Sequence, residues 1–524
     1  MSSPLRAAMN RVSPTYIFAA LACLFAFSAK IADPLTDTFH EGELVGFLWH
    51  MRAYYGGEVS FPLLVHGGMD YLPSLVAAAL FGNDAVIIGT RFMIAAVSAL
   101  VFFLSLDLSY SVVRKDANPH FWLLICIGLF YYFVPPMGSD ILSVGSFPLR
   151  ELFLILTVWC FTRALLSENR RIVWGMLLAG SLSTAVAFFW CYDRGIIAVV
   201  FLLLCALGLA VRREAGKCLA VLGTVGLGLV VLGKVGIFGT LAENLNNIRY
   251  WLTNARDVNP LYPLILPHLP GYFSLLLLVV AFLVVALIVI KRFLQRQNLN
   301  DGFMIITVAL LAVQMLLIKV AYGRADIERS FFGGWPTLLI FLNILSHVWT
   351  VRGLEFSPRI LEVQGGNGWP TTRLVNFSLS AILVFLLLAS PNALHYPMMV
   401  KALLTKRADT EMVPTAAVEA GQRLAGPEIS CYFNWTNDGT LALLSGKSFC
   451  TDYAYVHYSS TRDEARMLEQ LRRSPPQTIL LNSNVPGVNV GGKYMAERFP
   501  LVHQYIKENY QHSWQVGEYL VVSR

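Results

Sequence analysis

Long apolar segments separated by short polar ones occupy most of this chain. A helix needs about 20 apolar residues to cross a hydrocarbon core of roughly 30 Å, because lipid offers no partner for exposed backbone groups. Eleven segments qualify as predicted membrane-spanning helices, and they lie near 14–32, 84–112, 119–136, 148–166, 172–190, 194–211, 218–239, 269–290, 303–321, 331–350 and 373–391. No small-residue cleavage site follows the first, which favours a retained span over a signal peptide.

Basic residues between these segments predict one orientation in the membrane, because Lys and Arg are enriched in cytoplasmic loops. They cluster before the first segment and after every second one, at Arg6 and Arg11, Arg114 and Lys115, Arg170 and Arg171, Arg212, Arg213 and Lys217, Lys291, Arg292 and Arg296, and Arg352 and Arg359. We therefore expect the N-terminus in the cytoplasm and residues 392–524 on the opposite side.

Two long segments lie outside the predicted spans. The first external loop, 33–83, places Leu44, Phe47, Leu48 and Met51 at a helical spacing, which predicts an amphipathic helix lying at the membrane surface.

The second segment, 392–524, is predicted to be a small soluble α/β domain that follows a multi-span domain at 1–391. Its strand-like stretches are 477–481 and 519–522, and its helix-like stretches are 462–473 and 499–510. The predicted fold class is thus mainly α, a polytopic helical bundle with a C-terminal extracytoplasmic α/β domain.

Composition agrees with a membrane protein. Only 14% of the 524 residues are Asp, Glu, Lys or Arg, and the mean hydropathy is +0.57. The net charge of +7 comes largely from the orienting clusters, so no nucleic-acid partner is expected. The eight Cys show no zinc spacing. Cys431 and Cys450 lie in the polar C-terminal segment, where they could form a disulfide or remain free.

Ionisable residues of both signs gather at the segment ends away from the cytoplasm. They are Lys30, Asp33, Asp37, Glu41, Glu43, Asp140, Arg150, Glu151, Asp193, Arg194, Lys234, Arg249, Arg256, Asp257, Lys319, Arg324, Asp326, Glu328 and Arg329. Such groups are costly near lipid unless they are paired, hydrated or facing a cavity. A single pair such as Asp193 and Arg194 is more simply a structural ion pair, but the whole set predicts a polar cavity at this depth.

The stretch from Asp33 to Glu43 carries four carboxylates and His40 directly after a predicted span. One carboxylate beside an acceptor hydroxyl can take its proton as it attacks, while a second holds a metal or orients the acceptor. This pattern favours a transferase. Asp before a helix is also a favoured cap, which is the simpler explanation for Asp33 and leaves Asp37 as the candidate base. His40 alone adds little.

A second group of candidates follows the ninth predicted span. Arg324 and Arg329 could grip a phosphate bidentately, Lys319 could add a point charge, and Asp326 lies between the two arginines. Anchoring of lipid headgroups by Arg explains the same pattern.

The first external loop resembles that of GT-C glycosyltransferases, multi-span enzymes that take sugars from polyprenyl-phosphate carriers. The resemblance lies in Asp37-Thr-Phe-His-Glu41-Gly-Glu43, Tyr55-Gly-Gly-Glu58, Gly67-Gly-Met-Asp70, Leu80-Phe-Gly82 and Arg91, and more loosely in Arg324-Ala-Asp326. It also covers the order of a many-span part and an external C-terminal domain.

The resemblance implies transfer of a sugar from a polyprenyl-phosphate donor to a glycan or glycolipid acceptor, with inversion, at a bacterial inner membrane and on its periplasmic or outer side. It implies Asp37 as the base, with Glu41 or Glu43 as competitors, and Arg324 and Arg329 as ligands of the donor phosphate. Asp33, His40, Asp70, Asp193, Arg194 and Asp326 would border the cavity or the acceptor.

Two sequence signatures known from such enzymes are missing, one from the first loop and one from the whole chain. The loop offers Glu41-x-Glu43 where the family often has Asp-x-Asp, so the cofactor stays unknown and a divalent cation is one option. No Trp-Trp-Asp occurs, which argues against an asparagine of a protein as the acceptor.

Aromatic residues of the C-terminal segment could stack on an acceptor glycan or form the core of the domain, namely Tyr432, Phe433, Trp435, Tyr453, Tyr455 and Tyr458.

Two other functions remain open from the sequence. A transporter or flippase of lipid-linked glycans also spans many times, but it tends to bind at mid-membrane between repeated halves. Neither feature is evident here. A polymerase or ligase of the same envelope pathways would differ in the number of sugars on its donor.

Overall fold

The computed structural model describes residues 31–35, 38, 40–112, 146–258, 302–324, 396–436, 438–482 and 493–524, together with 335–336 and short pieces between 275 and 294. This part of the chain is mainly helical and has one small sheet.

The first external loop contains three helices, α1 (His40–Val45), α2 (Leu48–Tyr55) and α3 (Leu72–Phe81), with a 3₁₀ turn at Gly68–Asp70. Leu44, Phe47, Leu48 and Met51 are all buried. They pack inside the protein, against the core and the C-terminal region, so the expectation that this apolar face rests on the membrane is wrong.

Seven longer helices follow in the part of the chain that the structure describes. They are α4 (Val86–Val112), α5 (Ser146–Leu166), α6 (Arg170–Trp190), α7 (Tyr192–Val211), α8 (Ala215–Val235), α9 (Leu241–Val258) and α10 (Gly302–Arg324). All except α9 match predicted spans within a few residues. Within the described residues, four stretches are long and apolar enough to cross a membrane: Val86–Ser105, Arg170–Trp190, Tyr192–Val211 and Ala215–Val235.

The other predicted spans carry charged residues, have a shorter apolar stretch or lie outside the described residues. Helix α5 carries Arg150, Glu151 and Arg163, and the apolar part of α10 is the shorter stretch Met304–Ile318. The predicted spans near 14–32, 119–136, 331–350 and 373–391 lie largely outside the described residues, and 269–290 is described only in pieces. A total of eleven spans therefore stays a prediction.

The helices of the bundle approach one another closely at small residues. A Cβ atom on Gly180 of α6 would meet the Phe161 ring of α5 at 2.8 Å, and one on Gly208 of α7 would meet Ile305 of α10 at 2.6 Å. Small residues at helix contacts allow the van der Waals packing that holds helices together in lipid. The buried core of α5, α6, α7 and α10 is built around Leu154, Phe161, Phe201 and Leu310.

The C-terminal region combines helices with a three-stranded antiparallel sheet. Its elements are α11 (Tyr396–Thr405), α12 (Thr415–Leu424), α13 (Gly439–Ser445), α14 (Glu464–Arg473), β1 (Thr478–Asn482), α15 (Met495–Arg498), α16 (Pro500–Asn509), β2 (His512–Val516) and β3 (Tyr519–Ser523). The strand order is β1-β3-β2. In the central strand β3, Val521 pairs with Leu480 of β1 on one side and with Trp514 of β2 on the other. The predicted strands and helices correspond to β1, β3, α14 and α16.

Aromatic side chains of this region form its interior. Tyr432, Phe433, Trp435, Tyr453 and Tyr455 are each less than 7% exposed. They are therefore core residues, and the alternative in which they stack on an acceptor glycan is not supported. Cys431 and Cys450 form a disulfide, beside a bridge between Tyr432 and Phe449.

The first external loop and the C-terminal region share one core. Phe47 of the loop lies 5.7 Å from Phe449 and 5.3 Å from Tyr455, measured between ring centroids. Gly42 meets Gly439 backbone to backbone, since a Cβ on Gly42 would lie 2.8 Å from the Gly439 backbone nitrogen. The glycine of the Glu41-Gly42-Glu43 motif is thus required by this close approach.

Candidate functional site

A chain of three polar side chains joins the first external loop to helix α5. His66 Nδ1 lies 2.8 Å from Asp70 Oδ1, and Arg150 Nη2 contacts His66 Nε2. The arginine can only donate, so Nε2 must accept and the ring proton sits on Nδ1, where it donates to Asp70. Asp70 also accepts from the His66 backbone N–H at 2.8 Å. The carboxylate therefore fixes the histidine, which in turn orients the Arg150 guanidinium.

A second polar group lies beside it, where α5 and α7 begin. Arg194 is 1% exposed, and its Nε donates to Glu151 Oε1 at 2.5 Å while Nη1 donates to Asp193 Oδ2 at 2.7 Å. Asp193 interacts electrostatically with Arg150 and His66 as well. The Asp193 side chain is 44% exposed, whereas that of its partner Arg194 is 1% exposed.

Glu43 and Asp70 lie on the side of this site that faces the C-terminal region. Glu43 is buried and accepts a hydrogen bond from the Tyr458 hydroxyl at 2.5 Å. Burial raises the pKa of the Tyr455 hydroxyl well above its ordinary value, and the nearby carboxylates of Glu43 and Asp70 raise it further. The C-terminal region thus contributes tyrosines to the acidic edge of the site.

Glu41 has a different environment from Glu43. Arg91, near the start of α4, donates to both of its carboxylate oxygens, at 2.7 and 3.1 Å, and both side chains are buried. Arg91 also donates to the backbone oxygens of Ile31 and Asp33, at 3.1 and 2.5 Å. This geometry anchors the start of the first loop to the bundle, and it occupies Glu41 with a structural ion pair rather than with proton transfer.

Several predicted site residues lie outside the described residues. Asp37, Asp326 and Arg329 do so entirely, and of His40, Lys319 and Arg324 only the backbone is described, within α1 and α10. Their roles stay predictions.

The structure adds residues that sequence reasoning missed or left unassigned. His66 was not singled out, and it carries no local signal beyond its place before Gly67-Gly68. Arg150 and Glu151 appeared only among the charges at the external ends. Their partners lie far away in the chain, since Arg150 and His66, for example, are 84 residues apart.

The described residues contain no group of three or more His, Cys, Asp or Glu side chains that could hold a metal ion. Chemically, the described site combines oriented guanidinium donors, which suit an anion, with carboxylates that can accept protons or hydroxyl hydrogen bonds, of which Asp193 is exposed.

No protein-family model and no curated protein matches the chain. Among solved structures it is similar to ArnT from Cupriavidus metallidurans bound to undecaprenyl phosphate, with 14% identity, a TM-score of 0.48 and coverage of 97% of each chain.

It is also similar to the Archaeoglobus fulgidus oligosaccharyltransferase in its apo form, with 12% identity, a TM-score of 0.47 and coverage of 91% of this chain and 70% of that one. Both neighbours are GT-C glycosyltransferases. Because the TM-scores lie below 0.5, they do not by themselves assign this chain an activity.

Proposed function

We propose that this chain is an integral membrane glycosyltransferase that moves a sugar from a polyprenyl-phosphate donor to a glycan or lipid acceptor outside the cytoplasm. The observation that carries the proposal is the Asp70–His66–Arg150 chain beside the exposed carboxylate of Asp193, at one end of apolar helices and next to the first-loop motif. The Cys431–Cys450 disulfide supports an oxidising, extracytoplasmic location for the C-terminal region.

The reaction needs two kinds of group. A departing lipid phosphate gains charge, which oriented cations stabilise without a metal. Arg150 is our candidate for this role, together with Arg324, Arg329 and Lys319 from the sequence. The acceptor hydroxyl needs a base, and Asp37 takes its proton in the proposal. The acceptor oxygen then attacks the anomeric carbon from the face opposite the lipid phosphate, whose bond to that carbon breaks, so that the anomeric centre inverts. Asp193 would hold an acceptor hydroxyl.

The proposal is tested first on the base. Cells that express the Asp37→Asn variant should contain the same glycan and glycolipid masses as cells without the protein, because the acceptor hydroxyl keeps its proton. Glu58→Gln, a change at an exposed acid of the same loop, is the matched control and should retain the wild-type masses. Wild-type masses in the Asp37→Asn cells would remove Asp37 as the base.

The donor site is tested separately with undecaprenyl phosphate alone. Arg150→Ala should weaken its binding to the purified protein by about tenfold to a hundredfold, the worth of one charged hydrogen bond. Asp37→Asn should bind it as the wild type does. Unchanged binding by Arg150→Ala would exclude Arg150 as a phosphate ligand.

Activity in detergent separates this proposal from a flippase. A detergent solution has no two compartments, so a flippase has no measurable product there. Sugar transfer by the detergent-solubilised protein is expected only of an enzyme.

A further inference from the structure

Two short helices outside the predicted spans expose large apolar side chains. On α11, Leu404 is 80% exposed, Met398 52% and Val400 46%, and on α3, Leu80 is 61% exposed and Val76 36%. The opposite side of α11 is buried through Met399 and Ala402. Such a face is costly in water, and it is typical of a surface that rests on a partner or a membrane.

Both helices are tied to the beginning of α4, the first described helix that is apolar enough to span a membrane. Helix α11 packs against α4. Asp409, just after α11, accepts from the backbone N–H groups of Val86 and Ile87 at 3.1 and 2.8 Å. Lys406 Nζ lies 3.5 Å from the carbonyl oxygen of Leu80, which brings the end of α11 to the end of α3. The exposed apolar face therefore lies level with one end of a spanning helix.

Charge identifies the surface that this face meets. Lys401 and Lys406 are exposed on α11 and directly after it. Lys406 has a φ of 48°, a left-handed conformation that a glycine would adopt without strain at a helix end. A lysine at this position strains the backbone more than a glycine would, but it supplies a positive charge. Lysines next to an apolar helix face suit a bilayer surface, where the apolar atoms enter the acyl boundary and the ammonium groups meet phosphates.

We propose that α3 and α11 form a lipid-resting face, made of Val76, Leu80, Met398, Val400 and Leu404. This face lies in the headgroup region of the leaflet at the site end of α4. Lys401 and Lys406 contact the phosphates of anionic bilayer lipids there. Helices α3 and α11 are then embedded in this leaflet on their exposed apolar sides rather than surrounded by water. This face goes beyond the proposed function, because it holds whether or not the chain transfers a sugar.

Immersion of the lipid-resting face in lipid is tested by spin labels attached to the full-length protein in lipid nanodiscs. Labels at Leu404→Cys and Leu80→Cys should collide more often with oxygen, which concentrates in lipid, than with a water-soluble nickel chelate. Leu501→Cys, on exposed helix α16, is the matched control and should show the reverse. The parent protein gives the labelling background, because its described free cysteines are the buried Cys160, Cys191 and Cys205 and the half-buried Cys218.

Two other results would overturn the proposal. Labels at 404 and 80 that behave like the label at 501 would place the face in water. Labels shielded from both reagents would place it against protein, either a second copy or another part of this chain.

The contact between the lysines and lipid phosphates is tested by measuring how much phosphatidylglycerol stays bound to the protein when it is taken from nanodiscs of mixed lipids. Lys406→Gly suits the left-handed backbone, so it should fold as well as the wild type and retain about fivefold less anionic lipid, the effect of one lysine near an anionic surface. Lys406→Arg keeps the charge and should retain the wild-type amount. Equal retention by Lys406→Gly and wild type would remove the contact with phosphates.

Discussion

At the scale of single residues, the sequence identified the right kinds of side chain but not their partners. Glu41 and Glu43 are equivalent in the motif, yet Glu41 pairs with Arg91 and Glu43 accepts from Tyr458. The two partners are 50 and 415 residues away. Nothing in the local pattern distinguishes an acid that pairs with a buried arginine from one that accepts a hydrogen bond from a tyrosine.

The Glu41–Arg91 pair gives a prediction about stability. Glu41→Gln leaves the Arg91 charge buried without its carboxylate, so we expect a loss of about 3–5 kcal/mol in the free energy of unfolding. Denaturant unfolding of the purified protein measures it, with the exposed Glu58→Gln as the control that should change little.

Adding Arg91→Met to Glu41→Gln should restore part of this stability, because the uncompensated charge is removed. A Glu41→Gln protein as stable as the wild type would contradict the structural role and return Glu41 to the candidates for the base.

At the scale of elements, apolar length and periodicity predicted most of what is described. The spans predicted at 172–190 and 194–211 are helices at Arg170–Trp190 and Tyr192–Val211, and the strand-like 519–522 is β3. Strand β2 was not predicted, because of its five residues only Val516 is buried and the alternation of apolar and polar positions is faint. Its pairing with β3 decides its structure.

The disulfide gives a prediction at this scale. Replacing both Cys431 and Cys450 by Ser opens a loop with a sequence separation of 19 residues. We expect the free energy of unfolding to fall by about 3 kcal/mol, because the unfolded chain gains freedom. The measurement is denaturant unfolding under oxidising conditions.

Cys218→Ser, at a half-buried free cysteine, is the control and should shift the free energy by about 0.5 kcal/mol or less. A double variant no less stable than this control would show that the disulfide does not hold the region together.

At the scale of the whole molecule, the loop and the C-terminal region fold against each other. The sequence predicted a helix lying at the membrane surface in the loop and a small soluble α/β domain at 392–524. The structure buries the apolar face of α2 against Phe449 and Tyr455 instead. His50 joins the two, since the Phe449 N–H donates to its Nδ1 at 3.1 Å and its Nε2 donates to the Ser60 carbonyl at 3.0 Å.

This contact predicts a pH dependence. Burial lowers the pKa of His50 to about 4, with the Ser60 hydrogen bond and Asp452 opposing the shift. The native state therefore favours the neutral ring, which contributes full stability above the ordinary pKa near 6.5 and loses it as the pH falls towards 4. Between pH 7 and pH 5 we expect a loss of about 2 kcal/mol from this residue.

The measurement compares unfolding of the wild type and of His50→Gln at both pH values. Glutamine can donate to Ser60 and accept from Phe449 but does not titrate, so the difference between the two proteins isolates His50. Identical pH dependence in both would contradict the assignment.

The sequence by itself determined that the chain has helices apolar enough to cross a membrane, where most of the described ones run, and that charged groups gather at their ends, because apolar length and charge act locally. Only the tertiary structure decided which charges meet. The Asp70–His66–Arg150 chain, the Glu41–Arg91 anchor and the shared core of loop and C-terminal region all join residues far apart in the chain. Contacts of this kind follow from how the elements pack, and no local pattern encodes them.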